Sequence, residues 1–360
     1  MDVKRHGLVQ VAPASHLGAF RCYGEPMTVT VPAEWAPHRA MWLGFPSHAD
    51  LWEDDFGPAQ AEVAALARAL AGPGREQVKL MVRGDDALRA ARELLGGVAG
   101  IDIRPARFGD IWLRDTGPIF TATDDGARAA GFRFNGWGGK YDLEGDAAVA
   151  AQIAEASGAP LIAHDLVLEG GAVDHDGAGT ILTTRQCLLN PNRNPGMDQA
   201  ALEAALAAAL GARKVLWLGD GLQGDHTDGH VDNLGRFVAP GVVACPMAFG
   251  ADDPNADAYD AAARDLAAMT DADGRPLKVM RIPSPGRILD EDGEVVAASH
   301  MNFLIANGAV IAPVYSDAAR GFMLAALKSL FPDREVIGLS SRAILTGGGS
   351  FHCITQQEPA

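Results

Sequence analysis

Apolar positions in this chain come in short packets whose period switches between helical and strand-like. Within residues 59–70, Val63, Leu66, Ala67 and Leu70 recur at helical spacing, which predicts an amphipathic helix. Residues 78–82 then read as a strand and 87–95 as a second helix. Short strands are predicted at 101–103, 132–134 and 180–183, and an alanine-rich helix over 197–210 that stops at Gly211. The runs 215–218, 242–245 and 309–312 suit buried strands, and 254–269 suits a further helix. The class is α/β, with many short strands and loops rich in Gly, Asp and Asn.

A chain of 360 residues, 48% hydrophobic, can bury a large core. No Pro/Gly/Ser-rich linker or charge block divides it, so 28–360 read as one catalytic domain behind a disordered N-terminal extension at 1–27, and Met27 could serve as an alternative start. The four cysteines, Cys22, Cys187, Cys245 and Cys353, show no CxxC spacing; this points away from a zinc knuckle or disulfide framework and toward reduced thiols in a cytoplasm. No apolar run approaches the ~20 residues of a membrane span, and residues 8–12 are too short for a signal-peptide core. A net charge of −16 argues against nucleic acid and suits a cationic substrate.

Four motifs carry candidate chemistry. Trp112-Leu-Arg-Asp-Thr-Gly-Pro118 ends an apolar stretch, and Arg114–Asp115 could be a structural ion pair. Glu169-Gly-Gly171 puts an acid at a strand end beside a flexible turn. Asp225-His-Thr-Asp-Gly-His-Val-Asp-Asn233 packs two histidines and three aspartates into nine residues; if extended, His230 and Asp232 share a side. Gly347-Gly348-Gly349 leads through Ser350, Phe351 and His352 to Cys353, placing a thiol beyond a turn that lets backbone approach a ligand. Asp115, Glu169, His230, Asn302 and Cys353 succeed one another at intervals of 51 to 72 positions, as if a ring of similar units each delivered a loop to one centre.

Together these groups suit guanidine hydrolysis. Carboxylates match the planar N–H fork of a guanidinium, a thiolate attacks its carbon and leaves again, and a histidine supplies and then removes a proton. Competing readings are a metal-dependent hydrolase on His226 and His230, opposed by Gly229 and by the lack of an HExxH pattern, and a silent guanidine- or polyamine-binding protein, which would have no need of Cys353.

WLRDTGP, LEGG, CLLNPNRNP, TDGHVDN and GGGSFHCITQQ resemble, in the same order, the agmatine deiminase family of guanidine-modifying (pentein) enzymes, from Val31 to Gln357. The resemblance implies a five-bladed α/β propeller of pseudo-fivefold ββαβ units, with no metal or organic cofactor. It implies Cys353 as nucleophile, His230 as general acid/base and Glu169 as the carboxylate paired with it. Asp115 and Asp232 would clamp the guanidinium, while Trp112 and Gly348 line the substrate channel. Agmatine and water would give N-carbamoylputrescine and ammonia; the partners expected are a small cationic guanidine and copies of the chain itself, as a dimer or higher oligomer. Three positions depart from the family: His226 replaces an acid, His300 a tyrosine, and Gly44-Phe-Pro-Ser-His48 a Trp-Pro form. These leave open an alkylguanidine, a guanidino acid or an arginine-terminated peptide as substrate, or amidino transfer to an amine. Cys187 and Cys245 read as core, Cys22 as incidental, 190–195 as a loop shaping the tunnel, and His352 as turned away from the site.

Overall fold

Each short apolar packet pairs within a small sheet of its own. The structure, a computed structural model, describes residues 29–360; the extension expected over 1–27, with Cys22, lies outside them. Sixteen strands follow one pattern. The first unit holds β1 (His38–Gly44), β2 (Val78–Val82) and β3 (Ile101–Pro105). The second holds β4 (Ile119–Thr123), β5 (Gly126–Arg133) and β6 (Leu161–Val167), and the third β7 (Val173–His175), β8 (Thr180–Thr184) and β9 (Lys214–Leu218). Next come β10 (Arg236–Ala239), β11 (Val242–Met247) and β12 (Lys278–Pro283), then β13 (Leu304–Ile305), β14 (Ala309–Val314) and β15 (Glu335–Ser340). In units two to five the first strand runs antiparallel to the second, which pairs in parallel with the third.

The first unit lacks an antiparallel neighbour of its own until the chain returns. β16 (Thr355–Pro359) pairs antiparallel with β1, Met41 opposite Gln357 and Leu43 opposite Thr355. The two ends of the described chain thus complete one sheet and close the series. Glu358, buried, ties the seam by accepting from Trp42 Nε1 at 2.8 Å and Lys79 Nζ at 2.7 Å.

A parallel pair needs a crossover, and a helix supplies it in every unit: Phe56–Ala71, Val149–Ser157, Gln199–Leu210, Ala256–Ala268 and Asp317–Leu330. The first buries Val63, Leu66, Ala67 and Leu70 completely, the stripe its spacing predicts; each leucine contributes about 2 kcal/mol through removal from water. The helix expected over 197–210 starts at Gln199, where the Asp198 side chain caps the Ala201 N–H at 2.9 Å. It ends on Gly211 at φ +71°, where a Cβ would also lie 1.8 Å from the Val29 carbonyl oxygen. No helix among the described residues is long and apolar enough to cross a membrane.

One regularity of this architecture bears on function. Asp115, Glu169, His230, Asn302 and Cys353 each sit two to six positions ahead of an opening strand, β4, β7, β10, β13 and β16 in turn. Their spacing in sequence is the length of the repeated unit.

Candidate active site

Five loops bring these residues to one buried centre. Asn302 anchors the cysteine loop: its Oδ1 accepts the N–H groups of His352 (2.9 Å) and Cys353 (3.2 Å), and its Nδ2 lies 3.1 Å from Cys353 Sγ. Asp232 Oδ2 is 3.6 Å from the same sulfur. Asp115 accepts from Trp137 Nε1 and from the Gly171 N–H, both at 2.9 Å, and its Oδ1 is 3.8 Å from His230 Nδ1. Gly171 shows how tightly these groups converge. A Cβ there would lie 2.5 Å from His230 Nδ1, 2.9 Å from Asp115 Oδ1 and 3.1 Å from Asp232 Oδ2. The neighbouring Gly170 leaves no more room, since its Cβ would fall 2.2 Å from the Arg114 carbonyl oxygen. The glycine pair after Glu169 is therefore required by close approach.

Burial sets the electrostatics. Burial, then the Asp232 and Asp115 carboxylates, push the Cys353 thiol well above its ordinary range. The free protein thus holds a thiol here, not the ready thiolate that the motif suggests. Burial also raises Asp115, with Asp232 adding to it and His230 opposing. For His230, burial acts downward, but Asp115, Cys187 and Glu169 outweigh it and raise the imidazole well above its usual value. Burial alone would raise Asp232, yet the His352 hydrogen bond and charge bring it below the ordinary carboxylate range.

Several positions differ from their sequence reading. Arg114 makes no ion pair with Asp115; it donates to Gln357 Oε1 at 2.7 Å and to the His352 carbonyl at 3.3 Å. His352 faces inward because residues 351–354 form a turn, not a strand, and its Nδ1 meets Asp232 Oδ2 at 2.7 Å. Segment Val231–Asn233 is a 3-10 turn rather than extended, and His230 and Asp232 still flank one centre. Glu169 is fully buried with Oε1 taken by Arg193 Nε at 2.7 Å, while Oε2 has no partner; it lies near His230 without hydrogen-bonding it. Arg193 gives the 190–195 loop its task, holding Glu169 and, at 2.7 Å, Asp228. Cys187 is buried as expected, yet its sulfur, a Glu169 oxygen and a His230 nitrogen lie within 4.8 Å of one another. Among the described residues that trio is the one cluster able to share a metal ion; His226 does not join His230 and meets the Tyr141 hydroxyl at 3.1 Å instead.

Above the centre lies a cavity of about 220 Å³ lined by Trp112, Asp115, Trp137, Tyr141, Gly348 and Cys353, among others. Trp112 Nε1 donates to Asp110 at 2.7 Å, and its ring stacks on Trp52 at 6.2 Å. Cβ atoms on Gly347 or Gly349 would come within 2.8 and 2.5 Å of that ring, and Gly348 has φ +99°, so all three glycines answer a close approach or a left-handed backbone. His226 and Gly348 also border a wider vestibule of about 780 Å³ whose charged lining is five acids, Asp55, Asp290, Glu291, Asp292 and Glu294, against two arginines, Arg287 and Arg342. His300 reaches neither space: it is buried, bonds the Pro283 carbonyl at 2.8 Å, stacks on Tyr315, and burial lowers it to about 4. Asn302 was read from its place in the spacing alone, whereas Trp137 escaped the sequence reading, which offered only its glycine-flanked setting, Gly136-Trp-Gly-Gly139, where it takes φ 53°.

The family described as Porphyromonas-type peptidyl-arginine deiminase matches residues 30–359. An agmatine deiminase of Stutzerimonas stutzeri is 40% identical over 354 residues, covering 92% of this chain and 95% of its own. The solved agmatine deiminase of Enterococcus faecalis aligns with a TM-score of 0.86 at 34% identity, covering 92% of this chain and 96% of its own. An amidinotransferase from Microseira wollei, 12% identical with a TM-score of 0.53 over 91% of this chain and 96% of its own, shares the fold alone. The five-unit closed series is the propeller-like pentein fold expected from the motifs.

Proposed function

The chain belongs to the Porphyromonas-type peptidyl-arginine deiminase family, and from that premise we propose that it hydrolyses agmatine to N-carbamoylputrescine and ammonia through a covalent intermediate on Cys353. The observation that carries the mechanism is that Cys353 and Asp115 line a cavity of about 220 Å³, with Asp232 Oδ2 3.6 Å from the Cys353 sulfur and His230 Nδ1 3.8 Å from Asp115 Oδ1.

A guanidinium seated between Asp115 and Asp232 neutralises the field that keeps the thiol protonated, so on substrate binding the Cys353 S–H bond breaks and its proton passes to solvent. Sγ then bonds to the guanidinium carbon. His230, raised and therefore charged, gives its proton to one nitrogen; that C–N bond breaks, ammonia leaves and an S-amidino cation remains. Neutral His230 next takes a proton from water, and the resulting hydroxide adds to the same carbon. The C–S bond breaks, the thiolate departs, and loss of the hydroxyl proton leaves the ureido product. Glu169, fixed by Arg193, sustains the charge on His230. Trp112 and the glycine triplet form the flat wall beside the guanidine.

The acidic vestibule next to His226 favours a cationic tail over a carboxylate, which supports agmatine over guanidino acids and arginine-terminated peptides. The deciding experiment is a panel of agmatine, arginine, guanidino acids and C-terminal arginine peptides, assayed for ureido product without any amine acceptor. Agmatine should lead by at least tenfold in kcat/KM. A tenfold preference for an acidic- or neutral-tailed guanidine would reject agmatine, and product that appears only with an added amine would replace hydrolysis by transfer. We also assign the enzyme to the cytoplasm, in keeping with its scattered cysteines, and, from the family resemblance, to a dimer or higher oligomer; sedimentation at working concentration tests the second point.

A further inference from the structure

We propose that Glu169, Cys187 and His230 form a binding site for a thiophilic divalent cation, best matched by Zn²⁺, whose occupation switches the enzyme off. The binding half stands on geometry alone. The inhibitory half rests on the proton-transfer role given above to His230.

The three residues come from separate segments: Glu169 precedes β7, Cys187 lies in the turn Arg185–Leu188 after β8, and His230 precedes β10. Their candidate ligand atoms, a carboxylate oxygen, a thiol sulfur and a ring nitrogen, lie within 4.8 Å of one another, and all three residues are buried. In a tetrahedral zinc site, bonds of about 2.0–2.3 Å set neighbouring ligand atoms roughly 3.3–3.8 Å apart, so rotamer adjustments of about 1 Å would close the trio around an ion. A mixed O, S and N set is the preference of zinc, not of magnesium or calcium.

A second observation points to a ligand independently. Glu169 Oε2 is buried without a hydrogen-bond partner, although such groups are nearly always satisfied, and the His230 ring faces the Cys187 sulfur beside it. The supporting shell is already in place. Arg193 Nε holds the other Glu169 oxygen at 2.7 Å, leaving Oε2 as a single ligand atom in a fixed orientation. Thr184 Oγ1 accepts the Cys187 N–H at 3.3 Å, which fixes the turn that carries the sulfur. Asp115, 3.8 Å from His230 Nδ1, is itself a wall of the reaction cavity. On binding, the Cys187 S–H bond breaks, a metal–sulfur bond forms, and the proton passes to solvent; His230 likewise gives up any proton it holds before coordinating. A coordinated His230 has no lone pair for a proton, so ammonia departure and water activation both stop.

The test uses Co²⁺ as a coloured substitute for Zn²⁺ in the full chain carrying Cys353→Ser, which removes the other site thiol. One equivalent should produce a near-ultraviolet thiolate-to-cobalt band with tetrahedral visible absorption. Adding Cys187→Ser should abolish the band, Cys245→Ser should leave it, and Glu169→Gln should weaken Co²⁺ binding at least tenfold. Absence of the band, or its survival without Cys187, overturns the site; circular dichroism and the Glu169→Gln arm guard against a Cys187 variant that fails to fold. In otherwise wild-type protein, Zn²⁺ should inhibit at one equivalent, reversibly with a chelator, and Cys187→Ser should raise the inhibitory concentration at least tenfold. A protein that makes ureido product but shows no cobalt band loses only the metal site. One that shows the band but makes no ureido product loses only the catalytic assignment.

Discussion

Two buried charge clusters flank His352, and they solve the same problem in opposite ways. On one side Arg236 is fully committed: it donates to Asp174 at 3.0 Å, to the carbonyls of Met301 (3.1 Å) and Phe303 (3.0 Å), and to Glu34. Glu34 in turn accepts the Ile305 N–H at 2.7 Å. On the other side Asp232 Oδ1 and Glu169 Oε2 have no hydrogen-bond partner, and the nearest carboxylate oxygen of Asp115 stays 3.8 Å from His230 Nδ1. Burying a charge is costly unless it is paired and hydrogen-bonded. The satisfied cluster is scaffold, and the unsatisfied one is shaped for something the protein does not itself supply. His352 joins them, with Nδ1 on Asp232 at 2.7 Å and Nε2 on Glu34 at 3.3 Å.

Four experiments would break or sharpen that contrast. The largest effect is expected in the unsatisfied cluster, where Cys353→Ser should cost several orders of magnitude in turnover without loss of fold. Quenched wild-type protein should carry an amidino adduct on Cys353 and no other cysteine; more than about a tenth of the wild-type rate in the variant would exclude covalent catalysis. In the satisfied cluster Arg236→Met should destabilise the fold by about 3–5 kcal/mol, because Glu34 and Asp174 stay buried without a counter-charge. Urea unfolding reads this directly, and a midpoint close to wild type would show that the cluster is not scaffold.

Asp115→Asn and Asp232→Asn should each lower kcat/KM at least about tenfold, since charge-assisted hydrogen bonds contribute on the order of 1.5–3 kcal/mol. Near-wild-type kinetics would remove that residue from the guanidinium. The smallest effect is in stability, and its sign differs between the clusters. Asp115 is raised on folding by burial and Asp232, so its contribution is present below the ordinary carboxylate range and is lost as pH rises through the folded value. Glu34, although burial would raise it, is held far below its usual value by Arg236 and His352; its contribution is present above the ordinary range and is lost as pH falls toward the folded value. At pH 7 Asp115→Asn should therefore raise Tm by about 2 °C, the scale of roughly 1 kcal/mol in a large domain. A lower Tm in that variant would mean the carboxylate is stabilised in the free protein, contrary to its surroundings.

How much of this was legible in the sequence depended on periodicity. Helix 56–71 and strand 78–82 declare themselves by their apolar spacing. β16 does not: Thr-Gln-Gln-Glu-Pro carries no hydrophobic signal, and it is buried because it fills the gap beside β1. Helix Asp317–Leu330 and the strands β6, β12 and β15 likewise went unread, their polar or half-exposed residues masking the pattern. In the site, Asp115, His230, Asp232 and Cys353 were singled out by the chemistry a guanidine needs and by the motif resemblance, and the fold brings them to one centre. Arg114 was misread because adjacency suggested an ion pair, whereas its partners, Gln357 and the His352 carbonyl, lie more than 230 positions away. His352 was misread because extended geometry was assumed where the backbone turns. Cys187 looked apolar from its neighbours, and only the fold brings His230 to its sulfur.

The seam between β1 and β16 has a consequence for the order of assembly. Cys353 lies two residues ahead of the strand that completes the first unit, so thiol and closure arrive together. A growing polypeptide can fold several units on the ribosome while remaining chemically inert. Joining ends more than 300 positions apart carries a large entropic penalty and belongs among the late steps of folding. Shortening the chain by even this one strand would remove the seam that positions the cysteine, so the reactive group is exposed to substrate only on a finished ring.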